Sequence, residues 1–248
     1  MTIIGIILLI LAAIFFFVAR NQSNRLQALS AAETYNVHLL TEIHRKVTGS
    51  LGGDALAQKC KIEGTIECDT PLQGPCSGEA CVAYSYSKTR EYEQEETRKN
   101  AQGEEEKRME RRNETMETEN RRTRFWLRDA TGRIAVNPEY AELDLVETFN
   151  TFEPEAGRSF GRTRTLGYRS TERALLVGTK VFILGCMTDD DEQPLIARHP
   201  SDRKQKFIIS RKSDREMAQS AATWSRNFRY ATIGLGVLGL ILVVVGML

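Results

Sequence analysis

Hydrophobic positions along the chain fall into three regimes. At both ends they are unbroken: Met1 to Val18 and Tyr230 to Leu248 carry no charge and consist mainly of Ile, Leu, Val, Phe, Ala and Gly. A bilayer core of about 30 Å needs roughly 17–25 apolar residues as helix, so each run is long enough to span it. The first run lacks a basic leader and exceeds the roughly 7–15 apolar residues of a signal sequence, so it reads as an anchor. Between the ends the apolar residues alternate with polar ones or come in short clusters. From Arg90 to Arg124 they almost vanish.

The alternating regime centres on Phe125-Trp126-Leu127-Arg128, the turn Asp129-Ala-Thr-Gly132, and Arg133-Ile134-Ala135-Val136. Asp opens such a turn and Gly takes positive φ, so the stretch predicts a β-hairpin. Phe125, Leu127, Ile134 and Val136 would share the buried face, with Trp126 and Arg128 on the other. Upstream, Leu26, Leu29, Val37, Leu40, Ile43 and Val47 recur at helical spacing over Asn21 to Val47, an amphipathic helix broken at Ser50 to Asp54. Cys60 to Cys68 alternates as a strand with a bulge at Gly64. Asp69 to Gly78 is a Pro/Gly loop, and Cys81 to Tyr86 a second strand.

Downstream, Ala141, Leu143, Leu145, Val146 and Phe149 form another buried segment, and Gly157 to Arg164 a basic loop. Tyr168 to Gly178 reads as a short helical turn, Thr179 to Gly185 as an apolar strand and Asp189 to Glu192 as a tip. Lys206 to Ser210 closes the strands, and Asp214 to Phe228 is a helix entering the second span. The expected class is α+β, a β-rich membrane-proximal domain between two transmembrane helices. Its expected parts are spans over 1–19 and 229–248, a helical stalk over 20–50, and the domain over 55–228. A charged insertion over 91–124 protrudes from that domain.

Charge refines the picture. The 248 residues carry a formal net charge of +1, and 27% are Asp, Glu, Lys or Arg. Within 91–124 both signs are interleaved and Tyr92 is the one aromatic residue, so the Glu content argues against a nucleic-acid strip. So polar a segment buries too little surface to offset about 1–2 kcal/mol of backbone entropy per residue. It is expected to be mobile in isolation and available to a protein partner or a neighbouring copy, through Glu91, Arg98, Glu105, Arg108 and Arg112. Arg20 and Arg25 follow the first span, and Arg211, Lys212, Arg215, Arg226 and Arg229 precede the second. The positive-inside rule then places the domain in the cytoplasm. A periplasmic or intermembrane-space location is the alternative.

Candidate chemistry is sparse. Cys60, Cys68, Cys76 and Cys81 lie at spacings of eight, eight and five, which match no zinc knuckle. With Cys186 they read as buried or boundary thiols, one disulfide pair being the rival. His38 and His44, six apart, share no face for a metal pair and read as surface or boundary residues. Ser77-Gly78 lacks the GxSxG elbow. Asp129 and Glu172 as an acid–base pair give way to structural hydrogen bonding. Asp189 to Glu192 lacks the ligand spacing and glycine of a calcium loop. No Walker loop or dinucleotide fingerprint occurs, so no cofactor and no metal is expected.

The order of elements does resemble a known family. Gly74-Pro-Cys-Ser-Gly-Glu-Ala-Cys-Val-Ala-Tyr-Ser-Tyr86 is similar to its SPLSGxPCVYYxY segment, and Phe125 to Pro138 to FxLxDxTGxxxVDP. Tyr168, Glu172, Gly178 and Val181 to Gly185 resemble YxExxxxxGxxVYVLG, and Phe207 to Ser210 the closing strand. These are the marks of the GIDE, or BAM (beside-a-membrane), domain. Mitochondrial membrane-bound ubiquitin ligases of the MULAN type carry it between two transmembrane helices, and prokaryotic relatives carry the module alone. The resemblance singles out Cys81, Tyr84, Phe125, Leu127, Asp129, Gly132, Tyr168, Glu172, Gly178 and Gly185 as its structural motif.

Those ligases place a RING after the second span, which needs eight Cys or His ligands. Five Cys, three His and no CxxC cannot supply it. The expectation is therefore a non-enzymatic scaffold or sensor that binds a protein or ligand beside the lipid bilayer. One alternative is a ubiquitin-ligase-type protein acting with a separate RING-like partner. Another is a homo-oligomer that remodels or permeabilises the membrane, packing through Gly234, Gly236 and Gly239.

Overall fold

The structure, a computed structural model, describes residues 2–51, 57–99, 105–155, 159–160, 162–191 and 193–246. Among them are three helices, α1 (Thr2–Ala31), α2 (Val37–Leu51) and α3 (Asp214–Val245). At 1.5 Å per residue α1 and α3 are each about 45 Å long, more than a bilayer core needs. Within Ile3–Asn21 and within Arg215–Val245 lie stretches of mean hydropathy 2.9 and 2.1, long and apolar enough to cross a membrane. They pack antiparallel. A Cβ on Gly5 would meet the Gly239 carbonyl oxygen at 2.9 Å and the Val243 side chain at 2.6 Å, so the backbones touch there. Toward the charged ends, Phe15 stacks on Phe228 with centroids 5.3 Å apart. Ser213 caps α3 in a capping box with Glu216.

The two helices meet the β-domain at one apolar joint. Ala32 and Met217, beside the inner ends of α1 and α3, pack with Phe182, Leu184 and Ile208. Phe182 and Leu184 lie on β12 (Lys180–Asp190), buried on both faces: Val181, Ile183 and Met187 turn into the main core. Ile208 lies on β14 (Ile208–Ser210), which pairs with β12.

The main core fills a closed barrel. β2 (Gln58–Glu67) pairs with β6 (Phe125–Asp129), which forms the hairpin with β7 (Gly132–Val136). β7 runs parallel to β13 (Gln193–Ala197), β13 pairs with β12, and β12 returns to β2. In chain order the strands are 1-2-3-5-4 closing on 1, an OB-type barrel. Ile62, Ile66, Leu127, Ile134, Ile183 and Ile196 fill it. The short β1 (Glu33–Thr34) pairs with β2, and β8 (Glu142–Leu143) runs parallel to β14.

Long insertions between barrel strands one and two, and three and four, build a second sheet. The first supplies β3 (Leu72–Gln73), β4 (Ala80–Lys99) and β5 (Glu105–Arg122). The second supplies β9 (Val146–Pro154), β10 (Ser159–Phe160) and β11 (Thr163–Leu176). The long strands lie in the order β9-β11-β4-β5, all antiparallel, with β3 and β10 pairing at the ends of β4 and β11. Val82, Ala83 and Leu175 anchor the sheet in the barrel core. From Ser85 to Thr97 no residue of β4 is buried, so the sheet leaves the body as an arm.

The α+β class is the one expected; several local readings differ. The stalk over 20–50 is not one helix, because β1 separates α1 from α2 and pairs Glu33 with Cys60. Tyr168 to Leu176 is strand, held by β4 on one side and β9 on the other. The charged segment is a strand pair over 91–99 and 105–122, with Met116 as a bulge. Gly64 is no bulge: β2 runs in unbroken register with β12, and a Cβ there would strike the Arg128 carbonyl oxygen at 2.6 Å. Of the three glycines expected to pack helices, Gly239 meets Gly5 within the chain, while Gly234 and Gly236 face open space. The helix break at residues 52–54 and residues 157–158 and 161 of the basic loop fall outside the described residues; the rest of that loop belongs to β10, one turn residue and the start of β11.

Candidate functional site

Two features stand out, a buried carboxylate clamp at the root of the arm and the arm itself. Glu172, on β11, is fully buried. Its carboxylate accepts the Cys76 and Ser77 backbone N–H groups at 2.7 and 3.1 Å, the Ser77 hydroxyl at 2.5 Å and the Thr148 hydroxyl at 2.6 Å. Two successive N–H groups aimed at one anion form a nest. The loop bends that tightly through Gly78 at φ +70° and Gly74, where a Cβ would sit 2.4 Å from Glu172 Oε1. Burial pushes the Glu172 carboxyl up. The hydroxyls of Ser77 and Thr148 and the two backbone donors outweigh it, holding the group below the ordinary glutamate range. A carboxylate so saturated and acidic is no general base; it locks the 69–79 loop onto the sheet.

Asp129 has a parallel role elsewhere. Its Oδ2 accepts Val37 N–H at 2.8 Å, while Oδ1 accepts the Thr131 N–H and hydroxyl at 2.7 Å and Gly132 N–H at 3.0 Å. Burial raises its pKa, but these bonds lower it further, so it stays ionised at the N-terminus of α2. Asp129 on the barrel and Glu172 on the arm have separate partners and form no acid–base pair. Gly132 lets Val37 approach, a Cβ there lying 3.2 Å from Val37 Cγ1, and Gly178 turns β11 into β12 at φ +81°. Gly185 faces Ile196 and Phe207 at contact distance. Phe125 and Leu127 are barrel core; Cys81 and Tyr84 form a small cluster under the clamp loop with Ala174. Tyr168 carries Lys88 Nζ 5.5 Å over its ring.

Trp126 is only half-buried on the outer barrel face, donating to Asp69 at 3.0 Å under the Arg133 guanidinium. His44, expected near the surface, is buried, its Nε2 2.5 Å from Asp189 Oδ1, and joins α2 to β12. All five cysteines are free thiols. Burial pushes Cys60 up to about 12 and Cys81 and Cys186 up to about 11; burial and then Glu172 raise Cys76. Thiols so raised are poor nucleophiles. Among the described residues no three His, Cys, Asp or Glu converge as a metal site.

The arm is ordered by charge. Along one face of β4, Glu91, Glu93 and Glu95 pair outward with Arg169 of β11 at 2.7 Å, and with Arg111 and Lys107 of β5 at 3.7 and 2.9 Å. On the other face Arg90 reaches Glu114 at 3.4 Å and bonds the Thr165 hydroxyl, while Arg112 pairs with Glu96. Arg108 lies 3.4 Å from Glu106 on its own strand. Glu105 is exposed, opposite Lys99 in the register, and Arg98 stands opposite Glu106. β11 supports the arm as far as Gln94. The strands beyond it are a two-stranded tip, and β5 leaves its outer edge unpaired among the described residues.

A β-barrel with a charged arm, joined at an apolar contact to a pair of membrane-length helices, defines a helix-flanked β-module. The chain belongs to the GIDE family, described as E3 ubiquitin ligase, whose pattern matches residues 93–246. It is 30% identical over 129 residues to the E3 ubiquitin-protein ligase SP1 of Arabidopsis thaliana. That match covers 48% of this chain and 37% of that ligase, so the chain spans little more than a third of its relative's length. No solved structure matches.

The sequence pattern missed Ser77, Thr148 and Gly74 as partners of Glu172. Ser77-Gly78 after Gly74-Pro75 was the available signal, a tight turn able to aim backbone donors at an anion.

Proposed function

We propose that this chain is a membrane-held interaction module of the GIDE family whose arm is offered to a protein partner beside the bilayer. The observation that carries this reading is the arm: paired throughout its described length, rooted in the barrel core, and exposed along its outer strand. A segment with no apolar face of its own gains little stability for the body, so its extent serves contact rather than folding. The buried groups favour the same reading, because Glu172 and the raised thiols are spent on structure. The basic residues on the domain side of both spans support a cytoplasmic location by the positive-inside rule.

The test uses the full chain in native membranes, with residues 97–107 replaced by an Asn-Gly turn so that Glu96 and Arg108, opposite in register, close a shorter hairpin. Photocrosslinkers at exposed Glu105 and at Thr97 define the partners of the intact arm; a crosslinker at Met109 serves both forms. Loss of those partners with unchanged thermal unfolding supports the reading. Retention of every partner by the shortened arm contradicts it.

A second reading, favoured by the family description and by the ligase SP1, makes this module part of a ubiquitin-ligase assembly. In that case its arm partners carry ubiquitin-transfer activity, and the captured complex conjugates ubiquitin when supplied with activating and conjugating enzymes. A captured complex inert under those conditions leaves the scaffold reading alone.

A further inference from the structure

We propose that the outer edge of β5 pairs with β5 of a second copy of this chain, antiparallel about a two-fold axis at Asn113. The proposal deepens the interaction reading above by naming one partner.

β5 offers eighteen residues of strand, Glu105–Arg122, almost entirely exposed, with no strand on its outer side among the described residues. Solitary edges are guarded by charged side chains, by Pro and by bulges; this edge carries charge and one bulge, at Met116, yet neither excludes a second copy. This edge has six acidic and six basic residues, so two copies do not repel. The order of those charges is self-complementary. With Asn113 on the axis, Arg112 stands opposite Glu114 of the second copy, Arg108 opposite its Glu119, and Glu106 opposite its Arg121. Each contact occurs twice by symmetry. Glu105 falls opposite Arg122, whose guanidinium is turned inward to the Pro138 and Ala141 carbonyls at 2.8 and 3.1 Å. The groups of the other three pairs already meet Glu96, Arg90 or each other on exposed faces, so the second copy extends ion pairs present within one chain. Glu110 opposite Glu117 is the one like-charged pair. Sliding the outer arms by two residues sets Glu106 against Glu119 in one direction, and Arg108 against Arg121 in the other.

The bulge makes this register work. Directly opposite residues must point to the same face of the joined sheet. Lys88 pairs with Glu117 and Thr89 with Thr115, leaving Met116 as an extra residue. Skipping it shifts the parity of the strand, so Glu106 shares a face with Arg121, and Arg108 with Glu119. Without the extra residue those pairs would point to opposite faces. Each copy contributes one bulge, placed symmetrically about Asn113, and the combined sheet runs through both arms.

Directly opposite residues on antiparallel strands have Cα atoms about 4.5–5.5 Å apart, within the span a disulfide bridges. Asn113→Cys in the full chain, in phospholipid vesicles under mild oxidant, should therefore form a covalent dimer by itself. Asn120→Cys is an equally exposed control; it should not link to itself, but should link to Lys107→Cys when the two proteins share vesicles. The unsubstituted chain, with its five native thiols, sets the background. Equal linkage by Asn113→Cys and Asn120→Cys alone, or no linkage by either, overturns the proposal. Neither result touches the capture of other proteins by the arm, which is read separately.

Discussion

The Ser77 hydroxyl donates to the Glu172 carboxylate at 2.5 Å across 95 positions of sequence. That contact ties the first insertion of the barrel to the second and closes the root of the arm. The loop carrying Ser77 precedes β4, and Glu172 sits on β11 opposite Tyr86 of β4.

Glu172→Ala should therefore destabilise the domain strongly. It leaves two hydroxyls and two backbone N–H groups facing an apolar gap, a loss on the order of 3 kcal/mol. The dependence on pH has a definite sign. The folded carboxyl titrates below its unfolded value of about 4.3, so its stabilisation is complete above that pH and lost as pH falls through the folded value. Melting curves from pH 3 to 7 should show wild type and Glu172→Gln converging at the acid end. A constant gap across that range would contradict the assignment.

Phe182→Ala and Trp126→Ala should separate joint from surface. Phe182 is 2% exposed between β12 and the inner helix ends, and its removal should cost about 3–5 kcal/mol. Trp126 is half-buried on the outer face and should cost clearly less. Denaturant midpoints of the two variants in the same detergent decide the order; equal losses would count against the joint.

The helix pair makes a steric prediction. Gly5→Leu places a side chain where a Cβ alone already meets backbone at 2.9 Å, so α1 and α3 must part. Gly236→Leu projects into open space and should be silent. Spin labels on the two helices should report a wider separation for the first variant only.

Much of the barrel was legible in the residues. The alternation of Phe125 and Leu127 against Trp126 and Arg128 marks β6, and the turn Asp129 to Gly132 ends it where the pattern says. The apolar run at Val181 to Leu184 likewise announces a strand. What stayed hidden depends on distant partners. Arg173, Ala174, Leu175 and Leu176 favour helix locally, yet β4 and β9 flank them and the ladder overrides that preference. The charged segment reads as mobile because its stabilisation is cross-strand: Glu93 finds Arg111 and Glu95 finds Lys107 only once the register is set. The partner of the clamp was hidden for the same reason: the turn from Gly74 to Gly78 signals backbone donors, but nothing near Glu172 in sequence points to Ser77.

Backbone hydrogen exchange on the full chain in vesicles tests the central claim, that the charged segment is a rigid strand pair rooted in the barrel. The account predicts slow exchange for the ladder amides from Ala83 to Gln94 and their partners on β5, grading faster toward Lys99 and Glu105. Exchange across Arg90 to Arg122 at the rate of an unstructured chain, with the barrel still protected, would contradict it.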